Sequence, residues 1–218
     1  MYSFTEENYL KAIYKLQERQ EEAVSTNAIA DSLNTRAASV TDMVQKLSGK
    51  SLLIYEKYKG VVLTEAGRKV AIGLVRKHRL WETFLVDKLR FTWDEVHELA
   101  EQLEHIKSEE LVDKLDEFLG FPKHDPHGDP IPQQDGKMLS QALILLEQMP
   151  EKAFAIISGV VNHSPVFLQY LQKQNLVLGI SVEVLEKNAF DKSMSIRLNA
   201  EKEIQVSAEV ARNLLMKV

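Results

Sequence analysis

Apolar residues in the first half of the chain recur every three to four positions, the period of a helix with one buried face. In T-E-E-N-Y-L-K-A-I-Y-K-L-Q-E-R-Q (5–20), Tyr9, Leu10, Ile13, Tyr14 and Leu16 form such a face, and Thr5 stands where an N-cap is expected. Ser25 or Thr26 caps a short helix, N-A-I-A-D-S-L, and N-T-R then turns the chain. A second helix over 37–50 points Val40, Val44 and Leu47 inward. Two short helices joined by a tight turn form the helix-turn-helix pattern. The period then shortens. Two β-rich runs, 52–56 and 61–64, flank Lys57, Tyr58, Lys59 and Gly60, a hairpin with two lysines and a tyrosine at its tip. The combination predicts a winged helix.

Thr64 caps a long helix reaching about residue 88, another helix begins near Thr92, and Ser108 caps a fourth that ends at Leu119-Gly120. Residues 120–136 carry four prolines and three glycines, a density that predicts a linker or boundary loop. Beyond it the runs A-L-I-L-L, A-F-A-I-I-S-G-V-V, I-S-V-E-V-L, M-S-I-R-L and E-I-Q-V-S read as short strands, interrupted by one helix over 165–174. Five short strands there predict a small barrel, and the whole chain is expected to be α+β.

Composition narrows this picture. The 218 residues suit one large domain or two to three small ones. No apolar run of membrane-spanning length occurs, and the acidic opening M-Y-S-F-T-E-E-N lacks a signal-peptide pattern, so the cytoplasm is the expected location. The absence of cysteine excludes disulfides, thiolate ligands and cysteine nucleophiles. Charge is segregated. Residues 1–80 hold 13 Lys/Arg against 9 Asp/Glu, residues 81–150 hold 6 against 16, and residues 151–218 hold 8 against 7. A mildly basic first part beside an acidic middle implies an anionic partner for one and a cation for the other.

The acidic middle contains V-H-E-L-A-E-Q-L-E-H-I (96–106). On a helix, His97, Glu101, Glu104 and His105 fall within an arc of about 100°. His78 and Glu82 repeat the i, i+4 arrangement of His97 and Glu101. Such a face repels itself unless a cation sits in it, and mixed imidazole and carboxylate donors suit manganese, iron(II) or zinc. Asp125 and His127, in D-P-H-G, are further potential ligands, expected to be exposed. On the second helix of the helix-turn-helix, Arg36, Ala38, Ser39, Asp42, Gln45 and Lys46 can face a major groove. Thr26 and the lysines at 46, 50, 57 and 59 complete the expected DNA contacts, the lysines reaching phosphates. No G-x-S-x-G, G-x-G-x-x-G, H-E-x-x-H or P-loop motif is present. The residues alone leave open a hydrolytic metalloenzyme using the same ligands, or a winged-helix regulator whose metal is structural.

The stretches T-E-E-N-Y-L-K-A-I-Y-K-L, L-L-I-Y-E-K-Y-K-G-V-V-L-T-E-A-G, V-R-K-H-R-L-W-E and V-H-E-L-A-E-Q-L-E-H resemble the diphtheria-toxin-repressor/manganese-repressor family of metal-dependent transcriptional regulators. The resemblance spans nearly the whole chain. It implies a homodimer that binds a palindromic operator in double-stranded DNA when charged with Mn²⁺ or Fe²⁺, with Zn²⁺ as a further alternative. It also implies three parts: a winged helix-turn-helix over 1–70, a helical dimerisation and metal domain over 71–137, and a small SH3-like β-barrel of the ferrous-transport type over 138–218. The implied primary metal site uses Glu101, Glu104, His105 and Asn8, and the second uses His78, Glu82 and His97. Some relatives add ligands where Asp125 and His127 stand and one from the C-terminal domain, here His163. Asn8 stands where the family has Asp or Met. Lys11 stands where some manganese-selective members have Glu, and cannot ligate a cation, which speaks against a two-metal cluster of their kind. Glu101 replaces the Cys of iron-sensing members, which favours manganese.

Overall fold

A computed structural model describes residues 2–20, 23–57, 59–138 and 141–218. Tyr58, expected at the hairpin tip, lies outside the described residues. Helix α1, Phe4–Gln20, starts one residue before the expected cap. Ser3 caps it instead of Thr5: the Glu6 amide donates to Ser3 Oγ at 3.3 Å and the Ser3 amide donates to Glu6 Oε2 at 3.0 Å. This reciprocal Ser-x-x-Glu box satisfies two end donors at once, which Thr5, with Asn8 three residues on, cannot match. Helices α2 (Thr26–Ser32), capped by Ser25, and α3 (Ala37–Gly49) follow, joined by a turn in which Asn34 has φ 46°. Strands β1 (Leu53–Glu56) and β2 (Gly60–Leu63) pair antiparallel, and Val24 bridges to Val61. Gly60 has φ +109°, and a Cβ there would stand 2.8 Å from the Val24 carbonyl oxygen, so the wing closes on α2's approach only through glycine. Leu10, Ile13, Tyr14, Ile29, Val40, Val44, Leu47 and Val61 form the core of this winged helix.

Helix α4, Glu65–Asp87, is capped by Thr64 and runs for 23 residues. Ala71 and Val75 complete the winged-helix core, whereas Leu80 and Trp81 enter a second core with Ala100, Val112, Leu115 and Ile131. Helix α5, Val96–Leu103, begins four residues later than expected, because Thr92 folds onto Glu95: its amide and hydroxyl both donate to Glu95 Oε2. It also ends earlier, so Glu104 is the cap residue and His105 lies in the following turn. Helix α6, Glu109–Phe118, is capped by Ser108.

The proline-rich segment is not a slack linker. Ile131 donates to the Lys123 carbonyl, Asp125 donates to the Asp129 carbonyl, and His124 bridges to Pro130. Gly128 has φ +91°, and a Cβ there would lie 2.1 Å from the Ser158 carbonyl oxygen, so this loop touches the C-terminal sheet backbone to backbone. Asp125 and His127, expected to be exposed, are 5% and 1% exposed.

The C-terminal region contains β3 (Ile144–Leu145), a 3-10 turn, β4 (Phe154–Val160), α7 (Pro165–Gln174), β5 (Ser181–Lys187), β6 (Met194–Leu198), β7 (Lys202–Val206), α8 (Ala208–Ala211) and β8 (Leu214–Lys217). The strands form one antiparallel sheet in the order β3-β8-β4-β5-β6-β7. Among the described residues β3 and β7 do not pair, so the sheet is open where a closed barrel was expected. Bulges at Ile157/Gly159 and Val184/Glu186 curve it. Leu214–Lys217 adds a sixth strand, too short to signal itself by alternation. Trp93, from the segment before α5, packs into this domain's core. No described helix is long and apolar enough to cross a membrane.

Candidate metal centre and DNA-facing surface

Two donor sets meet where α4, α5 and the ordered loop converge. His78, His97 and Glu101 form one, and Glu82, Asp125 and His127 form the other; within each set one donor atom per residue lies within 4.8 Å of the rest. They are joined through Glu82, whose Oε1 is 3.0 Å from His78 Nε2 and 3.3 Å from His97 Nδ1. The i, i+4 step on α4 puts His78 and Glu82 on one helical face, and the same step on α5 does so for His97 and Glu101. Asp125 is fixed by a local turn: its Oδ1 accepts the amides of His127 at 2.8 Å and Asp129 at 3.0 Å.

His127 carries the sharpest geometric signal. Its Nε2–H donates to the Trp93 carbonyl at 2.8 Å, and its amide carbonyl accepts from the Val160 amide at 3.1 Å. Its Nδ1 is buried and has no hydrogen-bond partner, and stands 3.6 Å from Glu82 Oε2. A histidine with one nitrogen locked on a carbonyl and the other unpaired toward carboxylates has the arrangement of an oriented metal ligand.

The electrostatics agree. Burial alone would lower His127, but the Glu82 and Asp125 carboxylates beside it push its pKa up to about 9. Burial, with the charges of Glu82 and Asp129, pushes Asp125 up to about 7. His78 is raised as well: burial opposes protonation, and the carboxylates of Glu104 and Glu82 overcome it. Without a bound cation the cluster gathers protons in its place. The donors therefore fit a divalent ion with imidazole and oxygen ligands.

The structure does not bring the expected primary set together as an open site. The Lys11 ammonium donates to Glu101 Oε1 at 2.6 Å and to both Glu104 oxygens at 2.7 Å. His105 Nδ1 is 2.6 Å from Glu7 Oε2, with its ring stacked on Phe4. Asn8 offers a buried Oδ1 that has no hydrogen-bond partner. His163 is in neither set but lines the same small pocket as His78, Glu82, His97 and Asp125. Its Nε2–H donates to the Val160 carbonyl, and its ring stacks on His127 at 4.8 Å between centroids. His124 stands apart from both sets. Sequence reasoning missed the Trp93 carbonyl, and it missed Arg79, which donates to Asp129 Oδ2 at 2.9 Å and has Nε 3.6 Å from Asp125 Oδ2. A backbone acceptor leaves no residue-type signal, and R-K-H-R (76–79) read only as basic. A groove of about 810 Å³, lined by Arg68, Ile72, Arg76 and residues 133–136, shares no candidate ligand with the cluster.

On the winged helix, Arg36, Ala38, Ser39, Asp42, Gln45 and Lys46 are all exposed, and Thr26 is half-buried at the start of α2. Lys46 and Lys50 are not free-standing: their ammonium groups lie 3.0 and 2.7 Å from Glu6 Oε1. Lys57 is exposed, and Lys59 pairs with the exposed Glu56.

A winged helix joined to a helical unit with a buried imidazole–carboxylate cluster defines a metal-binding protein of DNA-binding architecture. Family models agree across the chain. Residues 1–61 match the iron dependent repressor N-terminal DNA binding domain, residues 64–133 match the iron dependent repressor metal binding and dimerisation domain, and residues 144–218 match the FeoA domain. Among curated proteins, the chain is 38% identical over 128 residues to the iron-dependent repressor IdeR of Mycobacterium tuberculosis, covering 59% of this chain and 55% of that protein. It therefore spans about half the length of that relative. It is 37% identical over 119 residues to the HTH-type transcriptional regulator MntR of Oceanobacillus iheyensis, covering 55% of this chain and 80% of that one. Among solved structures, it is similar to one described as a manganese-dependent transcriptional repressor in complex with manganese, with TM-score 0.86, 32% identity, and coverage of 97% of this chain and 98% of that chain. The chain belongs to the diphtheria-toxin-repressor/manganese-repressor family of metal-dependent transcriptional regulators.

Proposed function

We propose that this chain is a homodimeric, metal-dependent transcriptional repressor acting in the cytoplasm on metal-uptake genes, and no enzyme. Mn²⁺ is its proposed metal, with Fe²⁺ or Zn²⁺ as alternatives, and a palindromic operator its DNA. The single observation that carries the metal reading is the unpaired, buried Nδ1 of His127, held toward Glu82 by the Trp93 carbonyl. Glu82, Asp125 and His127 would hold the ion, with His78 and His97 as the adjoining donors; Glu101, the third member of their set, is engaged by Lys11. A bound divalent cation would supply the positive charge these carboxylates lack. The donor set is hard, without sulfur, which favours manganese over softer-liganded metals.

Working units of 1–70, 71–137 and 138–218 follow from this reading. The exposed face of α3 enters the major groove, and the wing reaches the backbone. Leu111 and Phe118, 42% and 64% exposed and two turns apart on one face of α6, suit a second copy of the helical unit. Two reading heads then address the two halves of a palindrome. The test is a gel shift on DNA enriched from a random pool by the protein in Mn²⁺. Strong retardation in Mn²⁺ that is lost in EDTA is expected; equal retardation in both overturns the reading.

A further inference from the structure

Lys11, on α1, carries a buried ammonium that reaches Glu101 and Glu104. The Lys11 side chain is 6% exposed and the Glu104 side chain is 0% exposed. Three short contacts, 2.6 to 2.7 Å, join its ammonium to Glu101 Oε1 and both oxygens of Glu104. A buried carboxylate such as Glu104 is costly without a counter-charge, and the counter-charge that it shares with half-buried Glu101 comes from α1, ninety residues before Glu101 in sequence. Of the rest of the expected tetrad, His105 is engaged with Glu7 and Phe4 and Glu104 Oε2 also with His78 Nδ1 at 2.6 Å, while Asn8 Oδ1 is buried without a hydrogen-bond partner.

We propose that the Lys11 ammonium is the resident cation of this position. The protein fastens α1 of its winged helix to the helical unit with its own side chain, and takes divalent metal only at the neighbouring His78, Glu82, His97, Asp125 and His127 cluster. The Asn8, Glu101, Glu104, His105 set does not fit a metal while Lys11 is present. This proposal rests on the metal reading only for what the neighbouring cluster binds.

The experiment counts Mn²⁺ bound per chain by equilibrium dialysis in the full-length protein, its Lys11→Met and His105→Ala variants, and the double variant. In the native background, His105→Ala is expected to leave the count unchanged, since His105 touches neither Lys11 nor the two glutamates among the described contacts. Lys11→Met is expected to gain about one Mn²⁺ per chain, to melt lower than the native protein in EDTA, and to recover in Mn²⁺. The double variant is expected to lose the gained ion. The proposal is overturned if His105→Ala lowers the native count, or if folded Lys11→Met binds no more Mn²⁺ than the native protein. If Lys11→Met does not fold, the His105→Ala count decides by itself. Failure of the metal reading looks different: the native protein then binds no Mn²⁺, and Glu82→Gln changes nothing.

Discussion

His127 donates its Nε2–H to the Trp93 carbonyl at 2.8 Å while the Trp93 side chain is buried in the core of the C-terminal domain. One residue thus ties the ordered loop, the approach to α5 and the C-terminal sheet to the metal cluster, because the His127 carbonyl also accepts from Val160 on β4. With Nε2–H fixed on that carbonyl, Nδ1 is the nitrogen that faces Glu82 and carries a proton in the charged ring or would offer its lone pair to a cation once that proton leaves.

Replacing His127 with Ala is therefore expected to weaken Mn²⁺ binding by at least about tenfold, at the lower end of what metal-site partners contribute. Isothermal titration in matched buffers checks this. Unchanged affinity would remove His127 from the ligand set.

Gly128→Ala introduces a Cβ about 2.1 Å from the Ser158 carbonyl oxygen at a residue with φ +91°. Both strain terms act together, so a loss of about 1–3 kcal/mol or more is expected. Because the loop carries Asp125 and His127, Mn²⁺ affinity should fall as well. Urea unfolding and metal titration, run side by side, measure the two effects. A variant as stable as the native protein would contradict the close packing described above.

On the DNA surface, Lys59→Ala should weaken binding evenly across sequences and reduce the salt slope by about one counterion. Asp42→Ala, on the exposed face of α3, should instead change which sequences are preferred. Titrations over a salt series, with two unrelated operators, separate these behaviours.

Glu6 supplies a pH prediction. The Lys50 ammonium, aided by the Ser3 amide and Lys46 and opposed by burial, holds its carboxyl at about 2 instead of the ordinary 4.5. A carboxyl lowered on folding stabilises the folded state above its unfolded pKa and loses that contribution as pH falls toward the folded one. The winged helix should lose stability between about pH 4.5 and 2, and Glu6→Gln should flatten that limb. The same variant releases Lys46 and Lys50 toward phosphate and should raise non-specific DNA affinity at low salt. Identical acid unfolding of the two proteins would refute the pairing.

Much of this architecture is written in local pattern. The caps at Ser25, Thr64 and Ser108, the inward face of α3 and the hairpin residues were all legible, because each depends on neighbours a few positions away. Long-range facts were not. The i, i+4 pairs suggested a cluster, but nothing local says that Lys11 reaches Glu104, or that His105 turns to Glu7 once α5 stops at Leu103. The proline and glycine content of 120–136 signals an irregular linker or boundary loop, and it does not signal the contacts across the domain boundary that order it. His163 is expected as a C-terminal-domain ligand only through the family resemblance; its stacking on His127 and its place in the cluster's pocket can be seen only in three dimensions.

Helix α4 places Val75 in the winged-helix core and His78, less than one turn later, in the cluster. The recognition head and two of the ion's donors therefore ride on the same unbroken rod. Occupancy of the cluster cannot swing the head relative to His78 and Glu82 without melting that rod. What it would alter, under the proposed function, is how α5, the loop and the C-terminal sheet brace against it, so a signal to DNA would travel through stiffness and the pose of a second copy, not through a hinge at the base of the wing.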